Sequence, residues 1–130
     1  MVNVEKDFSL ESEKMKNWNG KDFEFLICRV EDYNFGSDFE ISEKDFYKVM
    51  TPNTFEYEVL NNSEWNLKVG NNTINYSWEP PGIQMTFNEE IDFTTAKKIA
   101  DEVIENLIKY TGHKAKLLIL PNDGTIISFN

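Results

Sequence analysis

IQMTFNEEIDFTTAKKIADEVIENLIKYTGHKAKLLILPNDGTIISF, residues 83–129, reads as strand, helix, strand, turn and strand. Within it Ala96, Ile99, Ala100, Val103 and Leu107 recur at helical spacing, and Ile104 and Ile108 widen the apolar stripe enough to cover a sheet rather than one neighbouring helix. The spacing predicts a helix over residues 94–111. Asp92 or Thr94 suits its start, because a short oxygen side chain accepts from amides that have no partner inside the helix. Gly112 suits its end, since a residue without Cβ takes the left-handed cap at little cost. Each large aliphatic side chain buried contributes about 1.5–3 kcal/mol, against propensity differences of a few tenths per residue, so packing holds this helix more than local preference does.

Upstream, a tight turn at Asn71-Asn72 sets Val69 opposite Ile74, Leu67 opposite Tyr76 and Trp65 opposite Trp78. Continuing across Glu79-Pro80-Pro81-Gly82 sets Trp78 opposite Ile83, Tyr76 opposite Met85 and Ile74 opposite Phe87, a three-strand meander with one continuous apolar face. Residues 54–60, TFEYEVL, alternate strictly, with Phe55, Tyr57 and Val59 on one face and Glu56 and Glu58 on the other. Ser42 with Asp45 resembles a capping box, and Phe46, Val49 and Met50 follow at helical spacing until Pro52, which predicts a short helix over 42–50 near a sheet edge. Residues 33–41 read as a loop. Residues 22–32, DFEFLICRVED, form a strand whose apolar middle on both faces suits a central position. In residues 1–20, Phe8 and Leu10 suggest a short strand, Ser12 opens a short helix through Met15 and Trp18, and Asn19-Gly20 signals a turn. Downstream, strands 115–120 and 125–129 pair about Asp123-Gly124, matching Leu120 with Ile127 and Leu118 with Phe129.

These elements predict one α+β domain over residues 1–130: a mainly antiparallel sheet of about six or seven strands, the long helix across one face and the short helix beside it. The net charge of −10 argues against binding nucleic acid through phosphates and favours a basic protein partner. The excess is uneven, with 15 acids against 7 bases in residues 1–64 and 8 against 6 in residues 65–130. A single cysteine, Cys28, fits a reducing compartment, the N-terminal stretch has no secretory pattern, and no run has the apolar length of a membrane span, so the expectation is a cytoplasmic protein with no membrane partner. The sequons at Asn61, Asn71 and Asn75 are then chance matches.

Catalytic constellations are hard to assemble, and no enzyme activity, cofactor or metal is expected. His113 is the only histidine and follows Gly112, where a cation suits the negative end of the helix dipole. Cys28 reads as a small buried hydrophobe. One Cys and one His cannot supply a zinc site, and no phosphate-cradling glycine loop or nucleophile motif is present. A glycosidase-like carboxylate pair could be picked from 23 acids, but no cleft is visible in the sequence. Asp32, Asn34, Gly36, Asp38, Glu40 and Glu43 approach the ligand spacing of a calcium loop, but Ser37 stands where the sharp-turn glycine belongs. A calcium- or small-ligand-binding module is therefore one alternative. A carbohydrate-binding protein stacking sugars on Trp65, Tyr76 and Trp78 is another, although the long helix needs such a face to cover.

The strongest remaining pattern is acids interleaved with aromatics: Glu31, Asp32 and Tyr33, then Asp38, Glu40, Glu43 and Asp45, then Glu56 and Glu58. Together they suit a partner surface with charge for steering and aromatic anchors for affinity. In its whole-chain pattern, a small acidic α+β protein with a long helix on a meander and rich in Asn, Lys, Ile and aromatics, the sequence resembles the cytoplasmic immunity proteins of bacterial polymorphic and contact-dependent toxin systems. The resemblance implies a protein that masks a toxin, often a basic nuclease domain, and carries no binding residue with it. The expectation is a non-enzymatic acidic binding protein that neutralises a basic protein partner by occlusion.

Overall fold

The computed structural model describes residues 2–5, 15, 17–29, 41–61, 65–79 and 82–129, with the backbone alone for residues 2–5, 43, 61, 79 and 129. The protein is of the α+β class. Among the described residues the chain runs β1 (Val2–Glu5), β2 (Phe23–Arg29), a 3-10 turn (Glu43–Asp45) leading into α1 (Phe46–Val49), β3 (Glu58–Asn61), β4 (Asn66–Val69), β5 (Asn72–Glu79), β6 (Gly82–Phe87), α2 (Phe93–Thr111), β7 (Ala115–Pro121) and β8 (Thr125–Phe129). The eight strands form one sheet in the order β1-β8-β7-β2-β6-β5-β4-β3. Seven of them pair antiparallel, as expected, and β1 adds a parallel edge beside β8.

α2 is the helix the spacing predicts, begun one residue earlier. Phe93, Ala96, Ile99, Ala100, Val103 and Leu107 are buried against the sheet, while Ile108, expected to widen the stripe, is 36% exposed. Asp92 is the N-cap: its carboxylate accepts from the Thr95 amide at 3.2 Å and the Thr95 hydroxyl at 2.6 Å. Gly112 closes the helix at φ 75°. The Thr95 hydroxyl, then the Thr95 amide, hold the Asp92 carboxyl below its ordinary range, outweighing partial burial. A folded value below the unfolded one means that the cap's stabilisation is complete above the unfolded carboxyl's range and is lost as pH falls through the folded value. Asp92→Ala is therefore expected to cost about 1 kcal/mol in urea unfolding at pH 7. Asp92→Asn, still a good cap, should cost little and show a flatter acid limb.

β2 lies at the centre, paired with β7 on one edge and β6 on the other, the position its nearly continuous apolar middle suggests. Toward α2 it presents Phe23, Phe25 and Ile27; on the other face Cys28 is buried, Leu26 is half-buried, and Gln84 donates to Glu24. Phe23, Phe25, Phe87 and Phe93 form one aromatic cluster, with Trp18 against Phe23 and Phe93. The Asn19-Gly20 turn is fastened to the helix start by Gly20 N–H to Ile91 O (2.9 Å) and Phe93 N–H to Trp18 O (3.1 Å). Met15 is fully buried; Phe8, Leu10 and Ser12, assigned to a strand and a helix start, lie outside the described residues.

The β5–β6 half of the meander has the expected register: Trp78 faces Ile83, Tyr76 faces Met85 and Ile74 faces Phe87. The β4–β5 half differs by two residues, with Leu67 opposite Ile74 and Val69 opposite Asn72. The turn is Gly70-Asn71 rather than Asn71-Asn72, because Gly70 supplies the positive φ, 61°, at the first turn position. A shift of two keeps the same side chains inward, so Leu67, Val69, Ile74 and Tyr76 are still buried. Trp65 does not face Trp78; it stands just before β4 at φ 57°, its carbonyl accepting from Tyr76 N–H.

The β7–β8 hairpin differs by one residue. Leu117 faces Phe129 and Ile119 faces Ile127, so Leu117 and Ile119, not Leu118 and Leu120, point to the core. Its loop is Asn122-Asp123-Gly124, closed by Gly124 N–H to Pro121 O, with Gly124 at φ 86° in the last loop position. That is the three-residue hairpin ending in a left-handed residue, whereas a two-residue turn would have put the slip elsewhere.

The expected short helix is a 3-10 turn followed by α1. Asp45 N–H donates to Ser42 Oγ (3.3 Å) and Ser42 Oγ donates to Asp45 Oδ2 (3.0 Å), a local variant of the capping box. The Phe46 ring packs on Trp65, Tyr76 and Trp78, and the buried Tyr76 hydroxyl donates to Met50 O at 2.7 Å. Thus α1 covers the β4–β5 end of the sheet on the side of α2.

Candidate functional site

Of the side chains expected to meet a partner, Glu31, Asp32, Tyr33, Asp38 and Glu40 lie outside the described residues, as does most of the calcium-like loop, and Glu43 is described in its backbone alone, within the 3-10 turn. Asp45 has an internal use that the sequence did not reveal. Tyr110, at the end of α2, donates its hydroxyl to Asp45 Oδ2 at 2.8 Å. The Tyr110 and Ser42 hydroxyls hold the Asp45 carboxyl below its ordinary range. This carboxylate fastens α1 to α2.

Glu56 and Glu58 come together at the end of the sheet. The alternation in residues 54–60 predicts a strand from Thr54, but pairing begins only at Glu58, opposite Lys68. The register would next set Tyr57 opposite Val69, the last residue of β4, and Glu56 opposite Gly70, where the chain turns at positive φ, so the ladder closes at Glu58. Tyr57, expected on a buried face, is consequently 46% exposed. Leu60, the extra residue of a bulge between Val59 and Asn61, is 47% exposed. Glu56, Tyr57, Glu58, Lys68 and Gly70 line one open depression of about 280 Å³. Lys68 and Gly70 join it through the β3–β4 register and the turn at Gly70-Asn71, which alternation within residues 54–60 does not signal.

The segment entering this edge is clamped from α2. Asn53 N–H and Thr54 N–H donate to Glu102 Oε1 at 2.7 and 2.6 Å, and Thr54 Oγ1 donates to Oε2 at 2.6 Å. Asn106 donates to Thr51 O at 2.9 Å and pairs with the Asn53 amide. Burial raises the Glu102 carboxyl, and the hydrogen bonds from the Thr54 hydroxyl and the Thr54 and Asn53 amides outweigh it, leaving a value below the ordinary one. The backbone just before Glu56 is thereby fixed to the most regular element of the fold.

The balance of charge gives this pair its weight. Of 23 acids and 13 bases, 12 acids and 10 bases belong to side chains the structure describes. Several of these acids are engaged within the protein: Asp101 with Lys97 at 2.6 Å, Glu105 with Lys109 at 3.9 Å, Glu102 and Asp92 with backbone amides. Among the described residues no ion pair or hydrogen bond engages Glu56 or Glu58, although Lys68 stands opposite Glu58.

Other candidates are accounted for by packing. Trp65 and Trp78 are half-buried and Tyr76 is buried, all against Phe46, so they do not form an open row for stacking sugars. His113 Nδ1 lies 3.2 Å from the Arg29 guanidinium and accepts from it, so the group beside the helix end is an Arg–His pair rather than an isolated imidazole. Cys28 is 5% exposed, and burial, partly countered by Lys116, pushes its thiol up to about 11. At pH 8 the thiol is therefore overwhelmingly protonated. Native protein is expected to resist Ellman's reagent over hours and to react at once in urea; rapid native labelling would show the thiol to be open.

Among the described residues no group of three or more His, Cys, Asp or Glu is placed to hold a metal ion, and no helix is long and apolar enough to cross a membrane. No protein-family model, curated protein or solved structure matches this chain.

Proposed function

We propose that this protein binds and neutralises a basic protein partner by occlusion, in the manner of the immunity proteins its sequence resembles. The observation that carries the reading is Glu56 and Glu58, without cationic partners of their own among the described contacts, flanking the half-exposed Tyr57 where the chain enters the last strand of the sheet. Carboxylates steer a cationic surface into contact, and a tyrosine supplies rigid contact area with a polar tip, the combination that recurs at binding hot spots. Glu31, Asp32, Tyr33, Asp38, Glu40 and Glu43 belong to the same proposed surface on sequence grounds.

The test is protection. Co-expression with a basic toxin domain encoded beside its gene is expected to rescue bacterial growth. Replacing Glu31, Asp32, Glu56 and Glu58 together by Gln should abolish rescue while the circular dichroism spectrum and melting temperature are kept. A folded wild-type protein that gives no rescue would end the reading, and rescue by the folded quadruple variant would remove this surface from it.

A further inference from the structure

We infer that the partner docks as an extended cationic segment along residues 56–59, the outer edge of β3 and the two residues that lead into it. This rests on the binding function proposed above and specifies its mode. β3 ends the sheet, and among the described residues no further strand pairs with its outer edge. A terminal strand presents backbone N–H and C=O groups that a further strand can satisfy, and peptide ligands use sheet edges in this way.

Two features single out this edge. Residues 54–60 carry strand alternation and strand-favouring side chains, yet only Glu58–Asn61 are paired, leaving Glu56 and Tyr57 with a strand's sequence and no ladder. In addition, Tyr57 and Leu60 are the two most exposed large apolar side chains among the described residues, at 46% and 47%. The occupant follows from charge. A second copy of this chain, itself at net −10, would set Glu56 and Glu58 against their own counterparts, and like charges across a strand pair are destabilising. A strand with Lys or Arg at alternate positions meets the two carboxylates instead, with apolar residues between them reaching Tyr57. The bulge after Val59 ends the regular run and limits docking to about four residues. The Glu102 clamp fixes the backbone on the other side, so this short edge is held ready.

Three twelve-residue peptides test the mode: alternating Lys-Val, alternating Lys-Pro of equal charge, and alternating Glu-Val. Binding is followed by amide chemical shifts and titration on the whole chain. Lys-Val is expected to bind with shifts centred on residues 56–60 and β4, and at least tenfold more tightly than Lys-Pro, which lacks half the backbone donors and cannot form a strand. Glu-Val should not bind. Glu56→Gln with Glu58→Gln should weaken Lys-Val at least fivefold and flatten its salt dependence. Equal binding of Lys-Val and Lys-Pro would overturn strand addition while leaving an acidic contact surface in place. Shifts centred elsewhere, or no binding of Lys-Val, would overturn it too, and the growth assay judges the neutralising function separately.

Discussion

Gly82→Ala is expected to cost at least about 3 kcal/mol and to disrupt the centre of the sheet rather than a surface turn. A Cβ at this position would stand 1.9 Å from Ile27 O, 2.9 Å from Ile27 C and 3.3 Å from Cys28 Cα. These are backbone atoms, which cannot rotate aside as a side chain would. β2 cannot retreat either, because β7 pairs with it on its other side from Phe23 to Arg29. The chain must therefore part β6 from β2 at the Cys28–Gly82 end or distort the strand that carries Phe25 and Ile27. Urea unfolding should show the lowered midpoint, and amide exchange at Ile27 and Cys28 should quicken more than exchange in α2. A variant with unchanged midpoint would mean that β2 and β6 approach less closely than described.

The second large effect is expected from Phe25→Ala. Phe25 is fully buried, with ring centroids 5.0 Å from Phe23, 5.3 Å from Phe87 and 5.9 Å from Phe93, so it joins β2, β6 and α2 at one point. Truncation removes its transfer free energy and leaves a cavity whose walls are held by two strand ladders, which sets the cost at about 3–5 kcal/mol. Against a total stability of roughly 5–15 kcal/mol, that is a third or more for a weakly stable chain. The melting temperature should fall by roughly 10–20 °C. Phe25→Leu should cost about a third as much, since most of the volume is kept. Tyr57→Ala, at the exposed edge, should stay within about 0.5 kcal/mol of wild type, separating residues that build the sheet from residues offered to a partner.

What was legible in the sequence follows from how many signals agreed at each place. For α2 the periodicity, the Asp92 cap and the Gly112 stop point the same way, and its six buried residues include all five of the expected stripe. The central place of β2 was legible because a nearly continuous apolar run of β-branched and aromatic residues suits a strand with neighbours on both edges. The two register differences arise where signals competed. At Val69-Gly70-Asn71-Asn72 the apolar pairs fit two turns equally well in parity, and the glycine's positive φ decided between them. In KLLIL both faces are apolar, so alternation could not choose between Leu117 with Ile119 and Leu118 with Leu120, and the loop length chose. The alternation over 54–60 starts the strand too early because a pattern states what a segment could pair with, while β4 ends at Val69 and its turn at Gly70 stands where Glu56 would need a partner. For the site, the acids with their interleaved tyrosine at 56–58 were visible in the alternation. The use of Asp45 by Tyr110, 65 residues away, was not, because only the packing of α1 on α2 brings them together.

The contact at the end of the sheet is tested most directly by the dissociation constant of the complex with a toxin domain against which the protein protects cells. It should be measured at low and high salt for wild type and for Glu56→Lys with Glu58→Lys. The expected result is a variant that melts like wild type and binds at least about thirtyfold more weakly at low salt, with the difference narrowing as salt rises. Equal affinity of the two proteins at low salt would contradict a role for this edge in binding.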